Sequence, residues 1–263
     1  MNPDSLTNSG GRTSVTRSGR ACFTALLCCA GIASAAEPSI WMEWLASSDP
    51  STPFSFNPAD EGDVTPDQNG GLIYSGSLQG DMWQMSWTTR ARNTSGTAYL
   101  DTVVSVINTS DDIQAFSLDT SMSLTDPLTN PGEVDLAGSL ALTNIGFEAN
   151  AVATDVSGQS LVEVGLNGTP EGSLFDGPYL LQANGPFASA IDSATSSIPT
   201  LGLLNEMSIL TTFQLSPGDL LNITVVMDVS DIPAPGVLSL LALTGLASTR
   251  SRRRRSTSWR AGR

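Results

Sequence analysis

Apolar and polar residues alternate one by one through most of the middle of this chain, and this period restricts the fold more than any other feature. Trp83, Met85 and Trp87 alternate with polar neighbours, and the same period recurs over 116–124 and 221–229. Successive side chains of a β-strand point to opposite faces, so this period places one face on a core and the other in water. Further strands are predicted near residues 72–79, 99–108, 145–154, 160–166, 178–182 and 206–215.

Turn-forming residues separate the predicted strands, as at 129–132 (Thr-Asn-Pro-Gly) and 216–219 (Ser-Pro-Gly-Asp). Many short strands without a long amphipathic helical pattern predict an all-β fold, an antiparallel β-sandwich of jelly-roll or immunoglobulin-like strand order. Residues 47–71 and 183–205 lack the period and are predicted to be long loops, which in compact domains commonly carry function. The expected core includes Val104, Val106, Phe116, Leu118, Phe213, Ile223 and Val225.

The C-terminal part of the chain has three blocks in a fixed order. Pro233, Ala234 and Pro235 precede an apolar segment at 236–249, and a basic cluster follows at 250–255. The cluster consists of Arg250, Arg252, Arg253, Arg254 and Arg255. As a helix the 14 residues of this segment span about 21 Å, against a hydrocarbon core of about 30 Å, so they are predicted to form a short transmembrane helix and a weak permanent anchor. The alternative is a buried helix followed by a solvated basic tail.

This order of Pro-x-Pro, short apolar helix and arginine cluster resembles the PEP-CTERM sorting signal. The resemblance covers residues 231–255, leaves 256–263 as a tail, and has Ala234 where the family commonly has Glu. It implies an exported bacterial protein that passes through an inner-membrane intermediate. It also implies that an exosortase-like enzyme then processes the tail, and that the protein ends at the cell surface or in an extracellular polysaccharide matrix.

The N-terminal residues have the layout of a secretory signal peptide. Arg12, Arg17 and Arg20 precede an apolar stretch at 21–32, and the small-x-small pattern of a signal peptidase site follows. That pattern is formed by Ala33, Ser34 and Ala35. Residues 1–35 are therefore predicted to be the signal peptide, and 36–230 the extracellular domain.

Cysteines and charged residues are distributed unequally between the predicted signals and the domain. Cys22, Cys28 and Cys29 all lie in the predicted signal, so the mature chain has no disulfide or thiolate site, and an acylated Cys29 is the alternative mode of export. Residues 37–231 hold 25 of the 26 carboxylates and only two of the twelve arginines, which gives −23 against −14 for the whole chain. Such a surface repels nucleic acid and anionic lipid, so no nucleic-acid partner is expected.

The residue inventory excludes most catalytic machinery. The chain has no His and no Lys, which removes imidazole acid–base chemistry, catalytic triads, Schiff bases and phosphate loops of the Walker type. Paired carboxylates of the glycosidase kind remain, but with this many carboxylates pairs arise by chance. The protein is therefore predicted not to be an enzyme.

Asp60, Glu61, Asp63 and Asp67 form the densest group of potential oxygen ligands in the sequence. Calcium takes six to eight oxygens at about 2.3–2.6 Å, and these residues are the candidate metal ligands. Their spacing does not match an EF-hand, and a solvated acidic loop is the alternative interpretation. No cofactor other than calcium is suggested.

The exposure of the tryptophans distinguishes between two functional hypotheses. Trp83 and Trp87 share the parity of a core face, whereas Trp41 and Trp44 are predicted to cover the end of the sandwich. The first hypothesis is a structural or adhesive protein of the cell surface or matrix, with signal peptidase and an exosortase-like enzyme as processing partners. The alternative is a carbohydrate-binding β-sandwich, and one version of this hypothesis makes the binding calcium-dependent. Coplanar exposed aromatics in a groove would favour the alternative, and an acidic surface without them would favour the first.

Overall fold

The computed structural model describes residues 38–49, 52–146 and 150–231, and within these ranges the chain forms strands and turns but no helix. The strands are β1 (Ser39–Ala46), β2 (Phe54–Phe56), β3 (Gly62–Pro66), β4 (Leu72–Gln79), β5 (Trp83–Thr94), β6 (Thr97–Asn108), β7 (Gln114–Ser123), β8 (Gly132–Asn144), β9 (Asn150–Thr154), β10 (Val162–Leu166), β11 (Thr169–Leu174), β12 (Leu180–Asn184), β13 (Ser189–Thr200), β14 (Glu206–Leu215) and β15 (Asp219–Asp231).

Two antiparallel sheets contain all of these strands. The eight-stranded sheet has the order β11-β10-β14-β7-β1-β2, and β9 pairs with the far end of β14 and with β12. The seven-stranded sheet has the order β13-β8-β15-β6-β5-β4-β3. From β6 onwards the chain changes sheet at most connections, so the two sheets are interleaved in sequence. The fold is therefore all-β and resembles a β-sandwich.

The inner faces of the two sheets share one core, and aromatic rings connect them. Trp44 in the eight-stranded sheet lies 5.2 Å from Trp83 of the seven-stranded sheet, measured between ring centroids. The Trp44 ring also stacks on Phe116 at 5.5 Å, and Phe116 contacts Phe213 at 5.6 Å. Aromatic side chains bury large apolar areas and gain further stability from offset or tilted contacts. This cluster therefore holds the sheets together without disulfides in the domain.

The predictions drawn from strict alternation are confirmed. Strands β4 and β14 occupy the predicted ranges 72–79 and 206–215. All seven expected core residues are buried, and so are Trp83 and Trp87. The two tryptophans of β1 do not cover the end of the sandwich as expected. Trp41 is exposed on the outer face of the sheet, and Trp44 lies in the core because β1 is an interior strand, paired with β7 on one side and with β2 on the other.

The two predicted loops are wrong in large part. The range 47–71 contains β2 and β3, and the range 183–205 contains β13, which is 12 residues long. Strand β2 has only three residues, β3 is exposed on both faces, and the inward face of β13 is only partly buried. Alternation reports one buried face, so edge strands of this kind do not produce it.

Buried asparagines fix two of the turns to the sheets. Asn93 accepts hydrogen bonds at Oδ1 from the backbone N–H groups of Thr125 and Asp126, at 2.8 and 2.6 Å. Asn108 donates from Nδ2 to the carbonyl oxygens of Asp112 and Leu215, at 2.8 and 2.9 Å. Each amide therefore satisfies backbone groups that the strand ladders leave unpaired.

Candidate functional site

Strand register gathers carboxylates on the outer face of the eight-stranded sheet. Glu43 of β1 lies directly opposite Asp119 of β7, and Asp119 lies opposite Leu210 of β14. Leu210 in turn lies opposite Glu163 of β10. These four residues form one row across four strands, and Glu206 at the start of β14 lies on the same face, four residues from Leu210 along its strand. Asp119, Glu163, Glu206 and Leu210 line a groove of about 250 Å³, which we call the acidic groove.

Small residues form the floor of the acidic groove and give it its depth. Gly165 of β10 lies opposite Ser208 of β14, and a Cβ added to Gly165 would lie only 2.6 Å from the Ser208 Oγ. One rim is the hairpin between β10 and β11, whose turn residues Asn167 and Gly168 have φ values of 54° and 79°. Asn-Gly is the preferred pair for a two-residue hairpin turn with two positive φ angles. The sequence therefore encodes both the depth of the groove and its rim.

The charge balance around Asp119 is unfavourable for its ionised form. Burial raises the pKa of Asp119 to about 6, and the neighbouring carboxylates of Glu43 and Glu206 add to the rise. The Oδ1 oxygen of Asp119 is buried and accepts no hydrogen bond from the described residues. A buried carboxylate without a donor destabilises the fold. The acidic groove is therefore a place where bound positive charge would be favourable.

The Asp119 carboxyl should make stability depend on pH. Its folded-state pKa of about 6 lies above the ordinary 3.8, so the folded protein binds this proton more tightly than the unfolded chain does. The contribution of this carboxyl to the free energy of unfolding is therefore most favourable below about pH 4, and it is lost as pH rises through about 6. Asp119→Asn is expected to raise the free energy of unfolding near pH 7.5 by about 1–2 kcal/mol, after allowance for the exposed part of the side chain.

Denaturant unfolding between about pH 4 and pH 8 measures this effect. In the Asp119→Asn variant the decline of stability with rising pH should be shallower than in the unsubstituted chain. Asp63→Asn is the matched control, because Asp63 is an exposed carboxyl on the other sheet. Equal pH profiles for the Asp119 variant and the unsubstituted chain would contradict the prediction.

Trp41 extends the outer face beside the acidic groove. It is 49 % exposed and points away from the core, two residues before Glu43 on β1. Ser121 of β7 lies opposite Trp41, and Ser208 of β14 lies opposite Ser121. Adjacent strands are about 4.8 Å apart, so Ser208 lies about 10 Å from β1 across a shelf of small hydroxyl side chains. We call Trp41, Ser121 and Ser208 the tryptophan shelf.

The other tryptophans of the described residues are not available to a ligand. Trp44, Trp83 and Trp87 are buried in the core. The Trp83 Nε1 donates a hydrogen bond to the Asp49 Oδ2 at 3.0 Å, whereas the indole N–H groups of Trp44 and Trp87 have no partner. A surface of coplanar tryptophans is therefore absent from the part of the chain that the structure describes.

The outer face of the seven-stranded sheet holds both basic side chains of the described residues. Arg90 forms an ion pair with Asp101 at 3.1 Å, and the Arg92 guanidinium lies 5.2 Å from the centre of the Tyr99 ring. Asp228 lies opposite Tyr99 on β15. Burial raises the pKa of Asp228 despite the neighbouring Arg92. Because both cations have local partners, this face offers no basic patch for an anionic ligand.

The candidate calcium ligands do not converge. Asp60 and Glu61 lie in the turn before β3, Asp63 lies within β3, and Asp67 follows the strand. Three of the four are exposed, and no group of three or more acidic side chains suited to a metal ion forms anywhere in the described residues. These residues were singled out only because they lie close together in the sequence, and the fold does not bring their carboxylates together around one point.

The predicted export and sorting residues lie outside the described residues. These are Ala33 and Ala35 of the signal peptidase site, and Pro233, Ala234, Pro235, Arg252, Arg253, Arg254 and Arg255 of the sorting signal. Within the described ranges, no helix has the length and apolarity needed to cross a membrane. No protein-family model and no curated protein matches the chain.

Proposed function

We propose that this chain is an exported bacterial protein of the cell surface or extracellular matrix, with a structural or adhesive role. The observation that carries the proposal is the order of blocks at the C-terminus, where Pro-x-Pro, a short apolar segment and an arginine cluster resemble a PEP-CTERM signal. A signal peptide at 1–35 begins export, and the segment at 236–249 holds the chain in the inner membrane with its arginines inside. An exosortase-like enzyme then removes the tail.

The pairing of the strands favours one of the two strand orders predicted from the sequence. In an eight-stranded jelly roll the first strand pairs with the eighth, the second with the seventh and the third with the sixth. If β6 is the first strand, the corresponding pairs are β6 with β15, β7 with β14, and β8 with β13, and all three occur. The strand pairs β9–β12 and β10–β11 take the fourth and fifth places. This pairing supports a jelly-roll sandwich over an immunoglobulin-like one.

Processing at both ends provides the test of the proposal. N-terminal sequencing of the exported protein is expected to give Ala36 or Glu37 as the first residue, because the small-x-small pattern ends at Ala35. Mass spectrometry of the surface or matrix form is expected to find no peptide beyond about Gly236. Recovery of mature extracellular protein that still carries Trp259 would overturn the sorting proposal.

A second candidate function is binding of an extracellular polysaccharide, which the position of Trp41 favours. An exposed aromatic ring next to hydroxyl and carboxylate groups is the arrangement that stacks on a sugar ring and hydrogen-bonds its substituents. The tryptophan shelf and the acidic groove lie side by side on one face. The excess of carboxylates there repels uronate polymers and attracts ammonium groups, so the fitting class is a polysaccharide that contains free amino sugars.

Trp41→Ala tests this second function. The variant is expected to lose about 2 kcal/mol of affinity for glucosamine oligosaccharides, close to thirtyfold, when the ring is a main contact. Leu45→Ala is the matched control, because Leu45 is an exposed apolar residue on the same strand and the same face. Calorimetry with glucosamine, N-acetylglucosamine and uronate oligosaccharides measures the preference. Equal binding of all three would contradict the preference for amino sugars, and equal affinity of the two variants would exclude the shelf as the binding site.

A further inference from the structure

An asparagine is followed directly by a glycine at three places in the chain, Asn69, Asn167 and Asn184, and all three lie within the described residues. In such a pair the carboxamide carbon of the side chain can reach the backbone nitrogen of the next residue, because glycine has no Cβ to hinder the approach. Asparagine is therefore among the chemically labile residues of a protein. The fold places the three pairs in different surroundings, so we expect their reactivity to differ.

Asn69 lies in the exposed turn between β3 and β4. The Gly70 N–H donates to the Asp67 carbonyl oxygen at 3.1 Å, and the Asp67 N–H donates to the Gly71 carbonyl oxygen at 2.8 Å. The Asn69 side chain is exposed and forms no hydrogen bond with the described residues. Gly70 has a φ of 84°, and a Cβ added to it would have no atom within 4 Å. The carboxamide of Asn69 can therefore rotate towards the Gly70 nitrogen, which solvent can reach once the exposed turn opens locally.

The Asn167 side chain is held in place by hydrogen bonds, although the same dipeptide forms its turn. Its Oδ1 accepts from the backbone N–H groups of Leu204 and Asn205, at 2.7 and 3.1 Å, and its Nδ2 donates to the Gly202 carbonyl oxygen at 3.3 Å. The side chain is also half-buried. These bonds must break before the carboxamide can turn to its own backbone, so Asn167 is protected in the folded protein.

Asn184 is an intermediate case at the end of β12. Its side chain is exposed, but its backbone pairs with Asn150 of β9. The carbonyl oxygen of the next residue, Gly185, accepts hydrogen bonds from the Asn144 Nδ2 at 3.0 Å and from the Ala188 N–H at 3.3 Å. The carboxamide is therefore free while the backbone beside it is fixed on both sides.

We propose that Asn69 is a site of spontaneous deamidation in the folded protein. The Gly70 nitrogen loses its proton to water and attacks the Asn69 Cγ, which forms a C–N bond and closes a five-membered imide ring. The Cγ–Nδ2 bond breaks, and the nitrogen takes up a proton and leaves as ammonia. Water then opens the ring at one of its two carbonyl carbons, and the product is aspartate or isoaspartate. The inference goes beyond the proposed function and does not depend on it.

Deamidation would change the edge hairpin of the seven-stranded sheet. Either product adds a carboxylate to a turn that already contains Asp67, and isoaspartate also routes the backbone through the side chain and lengthens it by one methylene group. Strand β3 is an edge strand that pairs with β4 alone among the described strands, and its side chains are exposed. An altered turn is therefore expected to loosen β3 and to leave the core strands in place.

Peptide mapping by mass spectrometry follows all three sites in one sample of the exported protein. The folded protein is incubated at mildly alkaline pH, and conversion appears as the mass gain of an amide that becomes a carboxylate. Conversion at Asn69 is expected to be at least about tenfold faster than at Asn167, because the bonded side chain reacts only in the small fraction of molecules that are locally open. Asn184 should lie between them.

The same protein unfolded in guanidinium chloride is the matched control. The three rates should converge there, since each asparagine is followed by glycine and no fold distinguishes them. Asn69→Ser is a second control: it removes the reactive carboxamide, and conversion at Asn167 and Asn184 should stay unchanged.

Equal conversion of Asn69 and Asn167 in the folded protein would overturn the proposal, because the turn would then confer no selectivity. Failure of Asn69 to react over a period in which the unfolded chain reacts at all three sites would overturn it as well. An aspartate-specific protease separates the two products, since it cuts at a new aspartate and not at isoaspartate.

Discussion

Phe116→Ala is expected to lower the free energy of unfolding by about 3–5 kcal/mol, the largest loss from a single substitution that we predict. Phe116 is buried at the centre of the shared core, where its ring stacks on Trp44 and contacts Phe213. Removal of the ring takes away both contacts and leaves a cavity between the two sheets. A domain of ordinary stability has about 5–15 kcal/mol in total, so the variant would lose a large part of it.

Denaturant unfolding followed by tryptophan fluorescence measures this loss, since Trp44 lies next to the substituted ring. Ile113→Ala is the matched control: Ile113 precedes β7 by one residue and is exposed, so its truncation should change stability by no more than about 0.5 kcal/mol. A loss below about 1 kcal/mol for Phe116→Ala would contradict the central position of this residue in the core.

Replacement of Arg252, Arg253, Arg254 and Arg255 with Ser is expected to reduce the surface or matrix form of the protein by at least about tenfold. The basic cluster fixes the orientation of the short apolar segment, because positive residues stay on the cytoplasmic side of the membrane. An apolar segment of about 21 Å has little else to hold it in place. Fractionation of cells and matrix, followed by immunoblotting, measures the distribution of the protein.

The folded domain should be unaffected by these substitutions, and circular dichroism of the recovered protein provides that check. Arg260→Ser combined with Arg263→Ser is the control, because both arginines lie in the tail beyond the cluster. Normal delivery of the four-arginine variant would show that the cluster is not part of a sorting signal. Loss of delivery in the control as well would point to total tail charge rather than to the cluster.

The strands predicted well from sequence are those with one buried face. Strand β14 has strictly alternating burial, and its boundaries match the predicted range 206–215. Strand β13 was missed because its inward face is only partly buried and consists mostly of small residues such as Ala190 and Ala194, so that its place is set largely by pairing with β8. Local pattern therefore predicts a strand when side chains determine its place, and fails when a partner backbone does.

The candidate site was beyond local sequence reasoning for a related reason. Asp119 is one polar residue in an alternating strand, and nothing near it in sequence marks it as different. Its surroundings arise from cross-strand register, which places Glu43 opposite it although the two are 76 positions apart. The predicted calcium ligands show the reverse case, in which neighbours in sequence did not converge. Trp41 could have been singled out by its parity, since it is out of phase with the buried Trp44 on the same strand.

The position of the two arginines has a consequence for survival among extracellular proteases. Between Glu37 and Thr249, the peptide bonds after Arg90 and Arg92 are the only ones that an enzyme specific for basic residues can cut, since the chain has no lysine. Both arginines lie inside β5, where Arg90 pairs with Ile73 on one side and Asp101 on the other. Cleavage requires an extended free segment, so β5 must first leave the sheet. Digestion by such enzymes is then limited by the rare opening of the domain, and the folded protein persists where exposed chains are degraded.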